Sequence, residues 1–461
     1  MNNFRCAAVA VACFLATACS TSQYDLAITN VSIVDAVNGE RSNQTVVLDD
    51  GKIHSIAAAG TNATAEEVID GDGLYLMPGL WDMHVHIVYE DGLIDAMPDL
   101  FLDYGITSVR DTGALLDRIT PQVERWRSLG AAAPDLYYSG PLLDGQLVVY
   151  DGDDRPAIGV SNPSVAAALE RLTALQASGV SFIKIYELVS PEVFDALAAA
   201  ARDAGLPIAA HVPLSMRAET AGPKVNSMEH LRNIELACTE DADALYASRQ
   251  SVLADPGERS GYALRRDLHA VQRALAMRGA DPDSARCQNV LRALSRTTQV
   301  PTLRLNTITT HSPTLRSDWI MNLERLPPDV AEQWLQTATY FAGQKSDLGD
   351  RLSSWSLALT SAMLKAGVPI GAGTDTPIGQ AIPGYSLHTE LERLVEAGLT
   401  PQQALFAATV VPPRFFGLED RMGQIQPGME ADLVLLEANP LKDITNTRRI
   451  RAVISDGVKV R

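Results

Sequence analysis

The stretch SVAAALERLTALQASGVSFIKIYELVSPEVFDALAAAARDAGLPIAAHV, Ser164 to Val212, decides the fold. An alanine- and leucine-rich helical run passes through a glycine into the apolar VSFIKIY, and the pattern repeats as SPEVFDALAAAARDAG followed by LPIAAHV. Ser190 followed by Pro191 marks a helix start and Gly205 a stop, because serine caps free amides and proline at the first helical position forfeits no bond. Downstream, SSWSLALTSAMLKAG precedes VPIGAGTDT, and TPQQALFAAT opens with Thr400 as N-cap, Pro401 at the first helical position and Gln403 completing a capping box. Repeated strand–helix alternation predicts an α/β chain with a parallel sheet, and this many units favour a closed (β/α)8 barrel over an open sheet. A chain of 461 residues has room for one such barrel, placed at 78–421, and a smaller module.

The two ends read differently. Residues 24–77 carry short β-rich runs punctuated by Asn-Gly and Asp-Gly, and the texture returns over 422–461, so both ends are expected to build one small β-sandwich. One block, 232–298, interrupts the barrel alternation with long, charged, helix-prone sequence. It is expected to project over the barrel mouth as a lid or to offer a partner or dimer surface. Residues 1–18 read as a signal peptide, with Arg5 before the apolar CAAVAVACFLA. The ATAC ending resembles a bacterial lipobox, which would make Cys19 the lipidated first residue of an exported, envelope-anchored protein facing the periplasm or outer membrane. Cys238 and Cys287 then remain in the folded body, either as a disulfide favoured by an oxidising compartment or as two buried thiols. A net charge of −18 argues against a nucleic-acid partner. Homo-oligomerisation is left open.

Barrel active sites lie at the C-terminal ends of the strands, so polar residues matter most there. In GLWDMHVHI, residues 79–87, strand alternation puts Trp81, Met83, Val85 and Ile87 on one face and Asp82, His84 and His86 on the other. The last polar residues of the other apolar runs are Lys184 in FIKIY, His211 in AAHV, His230 in SMEHL and Asp375 in GAGTDT. Alone, a His-x-His pair would also suit a hydrogen-bonded polar pocket. Four histidines, a carboxylate and a lysine converging on one mouth suit two metal ions. Lys184 stands among Phe182, Ile183, Ile185 and Tyr186, where a lone ammonium is costly. Carbamylation by CO2 would turn it into an anionic oxygen ligand; snorkelling or a salt bridge is the alternative.

With these residues in view, the sequence resembles the amidohydrolase superfamily, especially its prolidase-like and imidazolonepropionase-like members. The matching segments are PGLWDMHVH, GITSVRDTG, FIKIY, AHV, MEHL, GTDTPIG, LHTELERLVEAGLTPQQALFAAT and GQIQPGMEADLVLLEANPL. The resemblance implies a distorted (β/α)8 barrel with the accompanying β-sandwich. It implies that His84, His86 and Asp375 hold a buried metal, that His211 and His230 hold a more exposed one, and that a carbamylated Lys184 bridges them. Zinc is the family's commonest metal, and the ligand types suit manganese, cobalt or iron as well.

The activity so implied is hydrolysis of an amide bond by a metal-bridging hydroxide, with Asp375 as general acid/base. Dipeptides such as Xaa-Pro, or N-acyl amino acids, are the expected substrates. A deaminase or a cyclic-amide or imidazolone hydrolase is the second enzymatic reading, and a non-catalytic envelope-anchored binding protein stands outside both. Some prolidase-like relatives carry a histidine and glycines after the third strand where this chain has SGPLLDGQLVVYDGDD, a difference that weighs against strict proline specificity. Asp82 is expected either to orient an imidazole or to cap local backbone. Tyr150, Arg232 and Arg304 fall in strand-end loops, where they could grip a substrate carboxylate or simply face solvent. His388 follows the last strand on a helix and is expected to support the fold or a ligand rather than to bind metal. His54, His269 and His311 are expected at the surface or in loops.

Overall fold

The computed structural model describes residues 24–461 apart from 62, 63 and 154. The segment expected to be a signal peptide, with Cys6 and Cys13, and the expected lipidation site Cys19 lie outside the described residues. The barrel begins with three parallel strands, Leu80–Val85, Ile106–Asp111 and Asp135–Tyr138. Leu142–Asp144 extends the third position along the same neighbour, and the barrel continues with Ile183–Ile185, Ile208–Ala210, Ser227–Glu229 and Thr298–Val300, all parallel. Ser181 N donates to Tyr138 O at 2.9 Å and joins the two groups.

The last position is filled by an extended segment, residues 370–376. Gly371 N donates to Gln299 O at 2.9 Å on one side, and Asp375 N donates to His84 O at 2.7 Å on the other, so the ring closes. Closure thereby places the first strand's histidines directly beside Asp375.

The helices between strands start and stop where the local chemistry directs. Ser164 and Ser190 accept from the amides of Ala167 and Val193, each at 3.3 Å, and Gly205 turns the chain at φ +70°. The Thr400–Gln403 capping box forms in both directions.

Strands from both chain ends make one eight-stranded sheet, in which Tyr75–Pro78 pairs with Tyr24–Asp35 on one side and Leu433–Leu436 on the other. Its two faces divide by parity. Leu26, Ile28, Ile33, Leu76, Leu433 and Leu435 pack on one another, whereas Val34, Met77, Val434 and Leu436 belong to the barrel's core. The sheet is thus a small β unit folded on its own core and fastened to the barrel by alternate residues.

Between Ser227–Glu229 and Thr298–Val300 the chain makes the helical excursion, which includes helices Ala242–Ala254, Gly261–Leu268 and Ala285–Ala293. Cys238 and Cys287 form a disulfide inside it. Leu264 and Leu268 pack on Leu214, Leu147 and Leu188 from strand-end loops. A side chain at Gly261 would meet Val148 O at 2.2 Å, so only glycine permits this approach. The excursion thus packs against loops at the strand ends, through helix Gly261–Leu268, and it is called the lid below.

Candidate metal centre

Five strand ends deliver their polar residues to one buried point. His84, His86, Lys184, His211, His230 and Asp375 border a cavity of about 80 Å³, and each is at most 5% exposed. His84 Nε2 and His86 Nε2 each lie 3.2 Å from Asp375 Oδ1, and His230 Nε2 lies 3.9 Å from Oδ2. Ring centroids separate His84 from His230 by 4.5 Å and His211 from His230 by 4.8 Å. The six residues expected at the site are thus brought together.

Each imidazole is held by its other nitrogen. His84 Nδ1 pairs with Glu229 Oε2 at 2.6 Å, His86 Nδ1 with Gly113 O at 3.1 Å, His211 Nδ1 with Glu187 Oε1 at 2.7 Å and His230 Nδ1 with Thr302 Oγ1 at 2.7 Å. Thr302 donates its own hydroxyl to Pro301 O, which leaves a lone pair for His230. A ring that donates from Nδ1 presents the Nε2 lone pair to the cavity, the arrangement that metal-binding histidines adopt. Burial, with the charge of Lys184, pulls His211 down to about 3 and keeps it neutral.

Two carboxylates of this shell, Glu229 and Glu187, escape the sequence reading. Glu229 accepts from Arg110 Nη2 at 2.8 Å and from Ser227 Oγ at 2.8 Å as well as from His84. Arg110 crosses the barrel floor, donating also to Met83 O and Ser227 Oγ, with its guanidinium 4.5 Å from the Phe415 ring. Burial opposes the charge of Glu229, yet Arg110, Lys184 and His84 hold it below the usual carboxylate range. Glu187 accepts from Arg265 Nη2 at 3.0 Å and has His269 Nε2 2.7 Å from its second oxygen. His269 therefore belongs to the underside of the lid, not to the surface: a turn after Gly261–Leu268 carries it inward. His311 is partly exposed and 3.4 Å from Glu396, and His54 is exposed against Tyr24.

The donor set and two orphaned atoms test whether metal ions fit. Lys184 Nζ is buried with no hydrogen-bond partner among the described residues, and Asp375 Oδ1 has none either. Burial lowers the Lys184 amine to about 8, so a neutral, nucleophilic fraction exists near physiological pH. Ligand atoms of His84, His86 and Asp375 all lie within 4.8 Å of one another. Imidazoles that turn Nε2 to the cavity, an ionised carboxylate and an unsatisfied lysine facing one cavity fit divalent cations.

The remaining predicted residues separate. Asp82 accepts from Thr374 N at 2.9 Å, Thr374 Oγ1 at 2.6 Å and His84 N at 3.1 Å. It fastens the first barrel strand to the last and touches no imidazole. Arg304 donates to the carbonyls of Thr374, Ile378 and Gly379, so it straps the loop after Asp375 and is not available to a substrate. His388 bridges Thr447 Oγ1 and Tyr104 O and is structural. Tyr150 and Arg232 border the cavity, and Arg265 from the lid joins them. Backbone strain gathers at the same place: His230, Asp375 and Thr302 have φ of +64°, +63° and +45°.

Comparison with known proteins agrees with this architecture. The profile of the Amidohydrolase family matches residues 75–460. Imidazolonepropionase of Vibrio vulnificus is 23% identical over 450 residues, covering 94% of this chain and 97% of the relative. Ochratoxinase of Aspergillus niger is 42% identical over 92 residues, 20% of this chain, and the match spans only 18% of that protein's length. A Xaa-Pro dipeptidase crystallised with bound methionine superposes with a TM-score of 0.65 at 20% identity, covering 95% of this chain and 99% of the other.

Proposed function

The chain belongs to the amidohydrolase family, and on that premise we propose that it is a two-metal hydrolase cleaving an amide bond next to a free carboxylate, in dipeptides or N-acyl amino acids. The observation that carries the reading is the orphaned, buried amine of Lys184 among four braced imidazoles. His84, His86 and Asp375 would hold one ion, His211 and His230 the other, and Lys184, as its carbamate, would bridge them. A pair of divalent cations, zinc foremost, would supply hydroxide near neutral pH and polarise the scissile carbonyl.

The protein's own groups account for the rest. Asp375 faces both histidine pairs, within reach of the cavity's water, to take a proton and return it to the departing amine. Arg232 and Arg265 direct two guanidinium groups at one small cavity. Burial, then the neighbouring charge of Arg265, lowers Arg232, a repulsion that an incoming carboxylate relieves. Hydrogen bonds among the described residues engage Arg265 but not Arg232, which makes Arg232 the freer of the two. The lid excludes bulk water above them.

The test is a screen of zinc- and manganese-loaded protein against dipeptides, N-acyl amino acids and cyclic amides, recording amine and ammonia separately. Amine release that falls at least ~100-fold in Asp375→Asn is the expected result. The full-length match to an imidazolonepropionase favours a cyclic amide as the second reading. Ring opening without amine release would establish it. We further propose export with lipidation at Cys19, supported by the disulfide in the lid; membrane fractionation of Cys19→Ala, expected to release the protein in soluble form, tests this.

A further inference from the structure

The metal cavity, at about 80 Å³, has no room for the part of an amide on the far side of the scissile bond from the arginines. A second cavity of about 700 Å³ lies against it. Ile378 borders both, and Tyr89, whose ring is 6.1 Å from that of His86, borders the larger one. Leu305, Ile308, Trp334 and Phe341 make its apolar walls. These come from a second helical segment, between Thr298–Val300 and helix Asp347–Lys365, whereas Arg232 and Arg265 border only the smaller cavity. Phe341 lines this groove while remaining 62% exposed, with the ring of Tyr340 edge-on to it at 5.3 Å.

The strip between the two cavities is chemically quiet. The carbonyls of Ile378 and Gly379 each accept from Arg304, whose positive charge beside them disfavours the approach of a free ammonium. Glu90 borders the groove, but Arg155 borders it too and offsets the charge. An aminoacyl group would thus bring a cation to a wall with no net charge for it, whereas an alkyl or aryl acyl group would bury apolar surface.

We propose that this groove binds the acyl portion of the substrate, and that the enzyme acts on N-acyl amino acids with a medium-length or aromatic apolar acyl group in preference to dipeptides. This rests on the amide-hydrolase reading above and names its substrate class. The carboxylate lies at the arginines, the scissile carbonyl at the metal centre and the acyl chain along Ile378, Trp334 and Phe341. Hydrolysis adds water across the C–N bond, releasing a carboxylic acid into the groove and an amino acid on the arginine side.

Two measurements test the proposal. In the first, kcat/KM of metal-loaded protein is measured on one amino acid bearing acetyl, butyryl, hexanoyl or octanoyl groups, and on the alanyl dipeptide of that amino acid. Partial burial of each methylene should raise kcat/KM about two- to three-fold, on the order of 100-fold from acetyl to octanoyl. Thr337→Trp, which fills the groove from helix Pro328–Ala342, and Phe341→Ala, which removes a wall, should each lower the octanoyl-to-acetyl ratio at least ~10-fold. In the second, calorimetry follows octanoate binding to the metal-free full chain, expected in wild type and lost in Thr337→Trp.

A flat acyl series, or a dipeptide preferred over octanoyl, with octanoate binding no tighter than butyrate, would overturn the groove assignment while leaving amide hydrolysis standing. Octanoate binding without amine release from any substrate would instead sink the amide-hydrolase reading and the substrate class with it. Light scattering decides the remaining alternative: if Phe341→Ala dissociates an oligomer and leaves the acyl ratio unchanged, the groove is an interface between copies and the proposal is wrong.

Discussion

The two halves of the proposed metal centre draw on the same residue types and are braced in different ways. His84, His86 and Asp375 are fixed by the barrel itself: the first strand is hydrogen-bonded to the last, Asp82 fastens Thr374, and Glu229 with Arg110 locks His84 from the barrel floor. His211 is instead braced by Glu187, whose other partners, Arg265 and His269, belong to the lid. Every ligand is buried, so exposure does not separate the halves. What separates them is where the bracing carboxylate finds its own partners: those of Glu229 lie in the barrel, and Arg265 and His269, which hold Glu187, lie in the helical excursion. The inner half should therefore share its stability with the fold, and the outer half should respond to the lid.

That contrast can be broken most severely at Arg110. Arg110→Met leaves Glu229 buried without its cation, and unfolding free energy is expected to fall by about 3–5 kcal/mol, measured by denaturant titration. If the loss is no larger than that of a surface substitution, the inner half is not tied to the fold. Glu187→Gln should act differently. The midpoint of unfolding should hardly move, while one of two metal equivalents weakens about 10- to 100-fold in a chelator competition. Equal weakening of both equivalents would remove the distinction between the halves.

The smallest effect concerns a histidine outside the centre. Burial pulls His388 down to about 3, so the folded state keeps it neutral. The unfolded chain takes up a proton as pH falls below about 6.5, the folded chain does not, and stability declines through that window. Between pH 7.5 and 5.5 this histidine should account for about 1.4 kcal/mol of the decline. His388→Asn should flatten the slope by that amount; an unchanged slope would contradict its neutral, structural state.

Much of this was legible in the sequence because strand alternation and barrel convergence are simple geometric rules. They place His84 and His86 on one face and bring His211, His230, Lys184 and Asp375 to the same mouth. The bracing carboxylates were not legible, for a physical reason visible at Glu229. Alternation would turn it away from its neighbour His230, but His230 and Leu231 adopt positive φ, so consecutive residues both serve the centre. Asp82 shows the converse: it shares the histidines' face yet spends both oxygens on the last strand. Arg304 looked like a free cation because nothing local announces that three distant carbonyls converge on it. His269 was misjudged because the lid's docking depends on contacts such as Gly261 against Val148, which no local pattern encodes.

The central claim is that Lys184 bridges two metals as a carbamate. Its most direct test is the 13C NMR spectrum of protein reconstituted with zinc in 13C-bicarbonate, compared with Lys184→Ala treated alike. A carbamate resonance present in wild type and absent from the variant is the expected result. Wild-type protein that carries two equivalents of zinc and shows no such resonance would contradict the account.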